Sequence, residues 1–244
     1  MKKRQNSISN KLNGIHLFLA VTAMVFLVIA ILLSSFQIAI YGDSDYGFYR
    51  KEYEKYEVTD PLNMEIDDVM EVTEHMMDYL IGKTPELSIE TNVDGREQDF
   101  FNEQDRLHMS DVKNLFLGGL KLRNILAILV VLLLVILFIQ KADMRSLLLR
   151  AYGIAMAVFV LLLAFLGVAF AIDFTKCFTI FHEIFFTNDL WMFDPETDYM
   201  IRMLPEGFFF DMAIRIGEVF IGLLAVLGVV TLILKQCGKK NHTK

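Results

Sequence analysis

Cysteine is scarce in this chain of 244 residues: only Cys177 and Cys237 occur, far apart. They make neither a disulfide framework nor a zinc ribbon. There is no Gly-x-Ser-x-Gly elbow, no P-loop and no Gly-x-Gly-x-x-Gly run, so the common serine-hydrolase, nucleotide and dinucleotide signatures are absent. His182-Glu183 opens like a zincin motif, but Phe186 stands where the second histidine is required. Charge is also missing over long stretches. Residues 14–41, 124–140, 151–172 and 219–234 contain no Asp, Glu, Lys or Arg. With 55 % apolar residues, the chain exceeds the ~45–50 % of ordinary soluble domains and is not disordered. The pattern is that of a polytopic membrane protein.

A bilayer core ~30 Å thick takes ~20 apolar residues as a helix. Extending the shorter runs on their N-terminal sides gives four spans, at about 15–40, 118–140, 151–172 and 211–234. The first is too long for a signal-peptide core of ~7–15 residues, and no small-x-small site precedes the charged block, so no cleavage is expected. Residues 1–13, 141–150 and 235–244 together hold eleven Lys and Arg against one acid, Asp143. Residues 42–123 hold nine bases and twenty acids, and residues 173–212 hold two bases and eight acids. The positive-inside rule then places both termini in the cytoplasm and both long segments, 42–117 and 173–210, outside. The net charge of −7 describes an outer surface and excludes a nucleic-acid partner. The expected fold is an all-α membrane protein, one integral domain over 1–244, with four transmembrane helices. Its outer segments carry amphipathic helices and a small β-hairpin.

In the first outer segment, Ile66, Val69, Met70, Thr73, Met76, Met77 and Leu80 recur at helical spacing, with Gly82 as the stop. Residues 87–91 alternate like a strand, and Asp94-Gly95 is a hairpin turn before Phe100-Phe101. A helix then starts near Asn102 and runs toward the second span, with Gly118-Gly119 as a break or bend. The second outer segment holds nine phenylalanines besides Trp191 and Tyr199. Phe174, Phe178, Phe181 and Phe185 share one face of a helix lying in the membrane interface. Eleven rings exceed an aromatic belt. They suggest a pocket for lipid chains, with Phe181, Phe185 and Trp191 as substrate-binding residues.

Arg215 and Glu218 stand three residues apart near the outer end of the last span. They suit a local ion pair or the binding of a polar headgroup. Cys177 reads as a small apolar filler or, less simply, a reachable thiol. Of five histidines, His16, His75 and His242 have no catalytic neighbourhood in sequence. His108 and His182 lie on the outer side near the membrane surface, each on or beside an apolar helical face. Asp105 and Asp111 flank His108, and either suits accepting a ring N–H and fixing the tautomer.

Three stretches carry a resemblance: Leu107-His108-Met109-Ser110-Asp111-Val112-Lys113, then Phe181-His182-Glu183-Ile184-Phe185-Phe186 with Trp191-Met192-Phe193-Asp194-Pro195, and Leu204-Pro205-Glu206-Gly207-Phe208-Phe209. With four spans, these resemble the lipoprotein intramolecular transacylase family of Gram-positive bacteria. The resemblance runs from the first span to the last. It implies transfer of the sn-2 acyl group of an S-diacylglyceryl cysteine to that cysteine's own α-amine, giving a lyso-form lipoprotein. It implies His108 and His182 as the catalytic pair, and a diacylated lipoprotein in the outer leaflet and membrane lipid as partners. An ester becoming an amide is downhill, so no nucleotide is needed; no cofactor and no metal is expected. Two other readings remain open from the residues alone. One is a membrane sensor or assembly protein whose outer segment binds a ligand through the acidic helix at 64–80. The other is a metal-assisted lipid ester hydrolase built on His108, His182 and nearby carboxylates.

Overall fold

The computed structural model describes the backbone of residues 2–240 and the side chains of residues 13–233. The basic clusters at the two ends, Cys237 and His242 therefore lie outside the described side chains. In chain order the elements are α1 (Lys2–Tyr41), α2 (Gly47–Lys55), α3 (Thr59–Leu62), α4 (Ile66–Leu80), β1 (Glu90–Val93), β2 (Arg96–Asp99), α5 (Glu103–Ile139), α6 (Met144–Ile172), α7 (Phe174–Phe185), α8 (Tyr199–Met203) and α9 (Glu206–Lys240). Helices α1, α5, α6 and α9 are each long and apolar enough to cross a bilayer. The protein is an all-α, multi-pass membrane protein with one small hairpin. At 37 residues, α5 is longer than a bilayer core requires. All of its charged residues fall within 103–123. It does not break at Gly118-Gly119. Two glycines weaken a helix by only about 1 kcal/mol each, too little to interrupt so long a run.

The chain divides into two compact units. One comprises Lys121–Val168 with the described parts of 1–35 and 218–244. Its core is Ala20, Met24 and Val28 of α1, Leu137 of α5, Ala151, Ala155 and Phe159 of α6, and Phe220 and Leu224 of α9. The four-residue spacing gives α1, α6 and α9 one inward stripe each, and the alanines let backbones approach closely. The remaining faces are apolar yet uncovered: Phe138 is 74 % exposed and Leu161 72 %. Apolar surface on that scale calls for lipid rather than water as the surrounding medium.

The other unit comprises Phe36–Leu120 and Ala169–Gly217. Helix α4 places Asp67 and Asp68 in its first turn, where acids favour the helix dipole. It ends in a Schellman motif: Gly82 takes a φ of 79°, its N–H donates to Tyr79 O, and Lys83 N–H donates to Asp78 O. In the hairpin, Val93 pairs with Arg96 across Asp94-Gly95, whose φ values of 56° and 73° are both positive, as a type I′ turn requires. The strand starts at Glu90, later than the alternation from residue 87 suggests, because the preceding backbone is already engaged. Arg106 Nε donates to Leu87 O at 2.9 Å, and Ser88 N–H donates to His75 Nε2 at 3.4 Å. The core of this unit combines Tyr53, Leu62, Val69, Val72, Phe100 and Phe101 with buried methionines 76, 77, 109, 200 and 203. Tyr53 OH and Thr73 Oγ1 share a buried hydrogen bond of 2.8 Å.

Gly207 explains one letter of the Leu-Pro-Glu-Gly stretch. A Cβ there would overlap the Tyr56 ring. Tyr56 OH donates to Asp211 Oδ2 at 2.6 Å, and Lys55 ion-pairs with the same carboxylate oxygen. We expect Gly207→Ala to push Tyr56 off Asp211 and to destabilise the protein by about 1–3 kcal/mol. Thermal unfolding in detergent measures this, and an unchanged midpoint would show that Tyr56 is free to move aside.

Candidate active site

Helix α5 begins with a reciprocal cap. Asp105 N–H donates to Asn102 Oδ1, and Asn102 N–H donates to Asp105 Oδ2, both at 2.9 Å. One turn on, His108 is buried at 6 % exposure. Helix α7 is capped by Asp173, whose carboxylate accepts from Lys176 N–H at 2.9 Å. Its last turn carries His182, 8 % exposed. The two imidazoles, 74 positions apart in the numbering of the chain, lie with ring centres 6.1 Å apart and planes at 28°.

Aromatic rings enclose the pair. Phe186 stands 5.1 Å from His108 and 5.6 Å from His182. Phe193 lies 5.3 Å from His108. Phe178 and Trp191 lie 4.2 and 4.9 Å from His182. His182 Nδ1 is 2.7 Å from Phe178 O. A carbonyl only accepts, so Nδ1 carries the proton and Nε2 keeps its lone pair. Burial holds the His182 pKa below its ordinary value of 6.5, against the opposing pull of the Phe178 carbonyl. The ring is therefore neutral at neutral pH, with a free acceptor nitrogen.

His108 differs. Its Nδ1 is buried and has no hydrogen-bond partner. Neither flanking acid holds it, contrary to the expectation from sequence. Asp105 is taken up by the cap, with its Oδ1 also unpartnered. Asp111 Oδ2 accepts from Asn188 Nδ2 at 2.9 Å. Unpartnered buried polar atoms are rare in folded proteins. Among the described residues no group of three His, Cys, Asp or Glu side chains converges as a metal site would need.

The aromatic residues expected at the site separate into two kinds. Trp191 packs against His182. Phe181 stands 5.5 Å from His182 and 4.8 Å from Phe185, and both phenylalanines are exposed, along with Ile180 and Ile184. They give α7 an apolar outer stripe. Phe174 and Phe178 instead pack on Phe210 and Phe209 of α9. The expected Arg215–Glu218 ion pair is not formed. The Arg215 guanidinium lies 4.4 Å above the Phe48 ring, where a planar cation gains from the ring face. Glu218 is exposed. Cys177 is a free thiol, and His75 accepts a backbone N–H as described. Sequence reading did not single out Phe186, Phe193 or Gln104. The first two stand inside the quoted motifs, and Gln104 lies one helical turn before His108, which is the only signal available.

Comparison with known proteins bears on this arrangement. The sequence profile of the family described as lipoprotein intramolecular transacylase Lit matches residues 21–209. No curated protein matches by sequence. Among solved structures, the membrane-integral lipoprotein intramolecular transacylase Lit from Bacillus cereus is 23 % identical. That match has a TM-score of 0.72 and covers 95 % of this chain and 99 % of the other. A histidine-to-arginine variant of the same Bacillus cereus protein matches at 22 % identity and TM-score 0.73, over 100 % of both chains. A histidine-to-alanine variant matches at 22 % identity and TM-score 0.73, over 97 % of this chain and 99 % of the other. The structures show the shared fold. With the family profile covering residues 21–209, the chain belongs to the lipoprotein intramolecular transacylase family of acyltransferases.

Proposed function

We propose that the protein moves the sn-2 acyl group of a lipoprotein's S-diacylglyceryl cysteine onto that cysteine's own α-amine, and that His108 and His182 carry the reaction. The observation that supports this most is the pairing of two buried imidazoles in different hydrogen-bonding states. His182 has its Nδ1–H committed to Phe178 O, which leaves Nε2 as a base. His108 has a buried nitrogen without a protein partner. In the step, the amine nitrogen attacks the ester carbonyl carbon. A C–N bond forms, and the C–O bond to the sn-2 oxygen breaks. The proton lost by the amine passes to Nε2 of His182. The departing alkoxide takes that proton back from His182 Nε2 and leaves as the glycerol hydroxyl, so the imidazole ends neutral as it began. His108 stabilises the charge that develops on oxygen through a ring N–H. Donor and acceptor belong to one molecule, so holding them in a near-attack geometry supplies much of the acceleration.

The exposed stripe of Ile180, Phe181, Ile184 and Phe185 on α7 offers the acyl chains an apolar surface. Arg215, without an ion pair among the described residues, is available to a polar headgroup. By the charge asymmetry of the sequence, both termini and residues 141–150 lie in the cytoplasm and the histidines on the outer side. The chain then works as one membrane domain on substrates of the outer leaflet.

The test is mass spectrometry of lipoprotein N-termini in a host that makes only diacyl forms. Expression should give N-acylated lyso product, and intact diacyl N-termini would refute the assignment. His108→Ala and His182→Ala should each lower product by at least ~10²-fold, since one positioned proton-transfer group is worth about 10²–10⁴. The double variant should be scarcely worse than either single, as for groups acting as a unit. His75→Ala and His16→Ala should be tolerated. Cys177→Ala should retain activity, because the amine attacks the ester directly. An inactive Cys177→Ala with an active His182→Ala would instead require an acyl-enzyme route through the thiol.

A pH profile gives an independent check. Because the His182 pKa is lowered below 6.5, its neutral form predominates at pH 7. The rate between pH 6.5 and about 8 should then rise with deprotonation of the α-amine, whose ordinary pKa is about 7.7–8.0. The loss due to His182 protonation should come only below pH 6.5. A plateau across pH 7–8 that falls away at 6.5 would argue against this division of labour.

A further inference from the structure

The loop between α7 and α8 supplies three of the rings around the histidines: Phe186, Trp191 and Phe193. Helix α5 grips this loop at three points. Asp111 accepts from Asn188 near its start. Asn102 Nδ2 donates to Asp198 Oδ1 at 2.5 Å near its end. Between these, Gln104 Nε2 donates to both Leu190 O and Met192 O, each at 3.1 Å. These are the carbonyls on either side of Trp191. One amide nitrogen thus spends both its hydrogens on bracketing a single residue. That residue packs against His182 at 4.9 Å with planes tilted by 31°. Gln104 precedes His108 by one helical turn, so the bracket and one imidazole share a face of α5.

The orientation of a histidine ring is poorly fixed by its own torsions, because its outer torsion is broad. The His182 ring is set by its Nδ1–H bond to Phe178 O and by the rings on its two sides, Phe178 and Trp191. Phe178 is on the same helix. Trp191 stands on a loop whose own turn bonds Leu190 N–H to Asn188 Oδ1 and Met192 N–H to Asp189 O, and the Gln104 amide ties that turn to α5.

We propose that Gln104 is a positioning residue: by holding the carbonyls that flank Trp191, it seats the indole against His182 and keeps that imidazole at its working angle to His108. Its role in turnover rests on the acyl-transfer reading above, whereas the seat itself does not. Gln104→Leu keeps the side-chain volume and removes both donors. Trp191 is the only tryptophan in the chain, so fluorescence excited at the red edge of indole absorption, where tyrosine does not absorb, reports its seat alone.

The experiment uses the full-length protein in detergent, with the emission maximum and collisional quenching by acrylamide as one readout. Turnover of a diacylated lipopeptide is the other. In Gln104→Leu, Trp191 emission should shift and acrylamide quenching should rise. The kcat should fall about tenfold or more, as a misplaced group does, while KM for the lipopeptide changes little. Gln104→Glu has the same length but presents an acceptor to two carbonyls. It should give the same pair of readings and serves if the leucine variant does not accumulate. His182→Ala should also shift the emission, since it removes the packing partner. Unchanged emission in His182→Ala, unchanged emission in both Gln104 variants, or an unchanged kcat in both despite shifted emission, each overturns the proposal. The two possible failures are distinct. An unaltered protein that yields no lyso product overturns the transfer reading, while unmoved fluorescence in the variants overturns the seat whatever the product.

Discussion

Asn102 and Asp105 exchange two hydrogen bonds of 2.9 Å, and the helix that carries His108 starts from that exchange. The first turns of α5 hold most of what the candidate site needs. Asn102 reaches Asp198, Gln104 reaches the carbonyls around Trp191, Arg106 holds Leu87 O and Asp99, and Asp111 holds Asn188. A cap of this kind is worth about 0.5–2 kcal/mol taken alone. Here it also fixes where each of those side chains leaves the helix, so the loop bearing Trp191 and Phe193 inherits its position from the start of α5.

The surroundings of the two imidazoles are aromatic and buried, which lowers the His182 pKa, and His108 Nδ1 has no protein partner there. A buried polar group left unsatisfied costs about 1–3 kcal/mol. A protein that keeps one beside a second titratable ring maintains it against that cost. On the acyl-transfer reading, an arriving substrate relieves the deficit, so part of its binding comes from completing a hydrogen bond the folded protein lacks. Burial of this kind also strengthens the action of any dipole within it.

Much of this was legible in the residues. The uncharged runs marked the four long helices, the spacing from Ile66 to Leu80 marked α4, and Asp94-Gly95 marked the hairpin, because each is a local pattern with a local cause. The two histidines stood out through their neighbours. What could not be read were partnerships across the chain. Asp105 and Asp111 sat at suitable spacing for His108, but a cap and a distant asparagine claimed them first. Arg215 had Glu218 within reach on its own helix and took the Phe48 ring instead. Gln104 looked like any polar residue near a helix start. Its reach to Leu190 and Met192 depends on tertiary contact, for which a single sequence has no period and no motif. Gly118-Gly119 misled in the opposite direction, since a weak local preference was outvoted by a long run of helix-forming neighbours.

The core of the unit holding the histidines is unusual in its sulfur. Met76, Met77, Met109, Met200 and Met203 are all buried, and Thr73 Oγ1 even directs a weak contact of 3.9 Å to Met203 Sδ. Unbranched thioethers fill irregular gaps and follow small movements of their neighbours without opening voids. They are also oxidisable. Conversion of one such thioether to its sulfoxide places a polar oxygen in packed apolar space, next to the elements that seat the imidazoles. Chemical ageing under oxidants would therefore loosen this unit from within, and reductive repair of the sulfoxide would restore it without resynthesis of the chain.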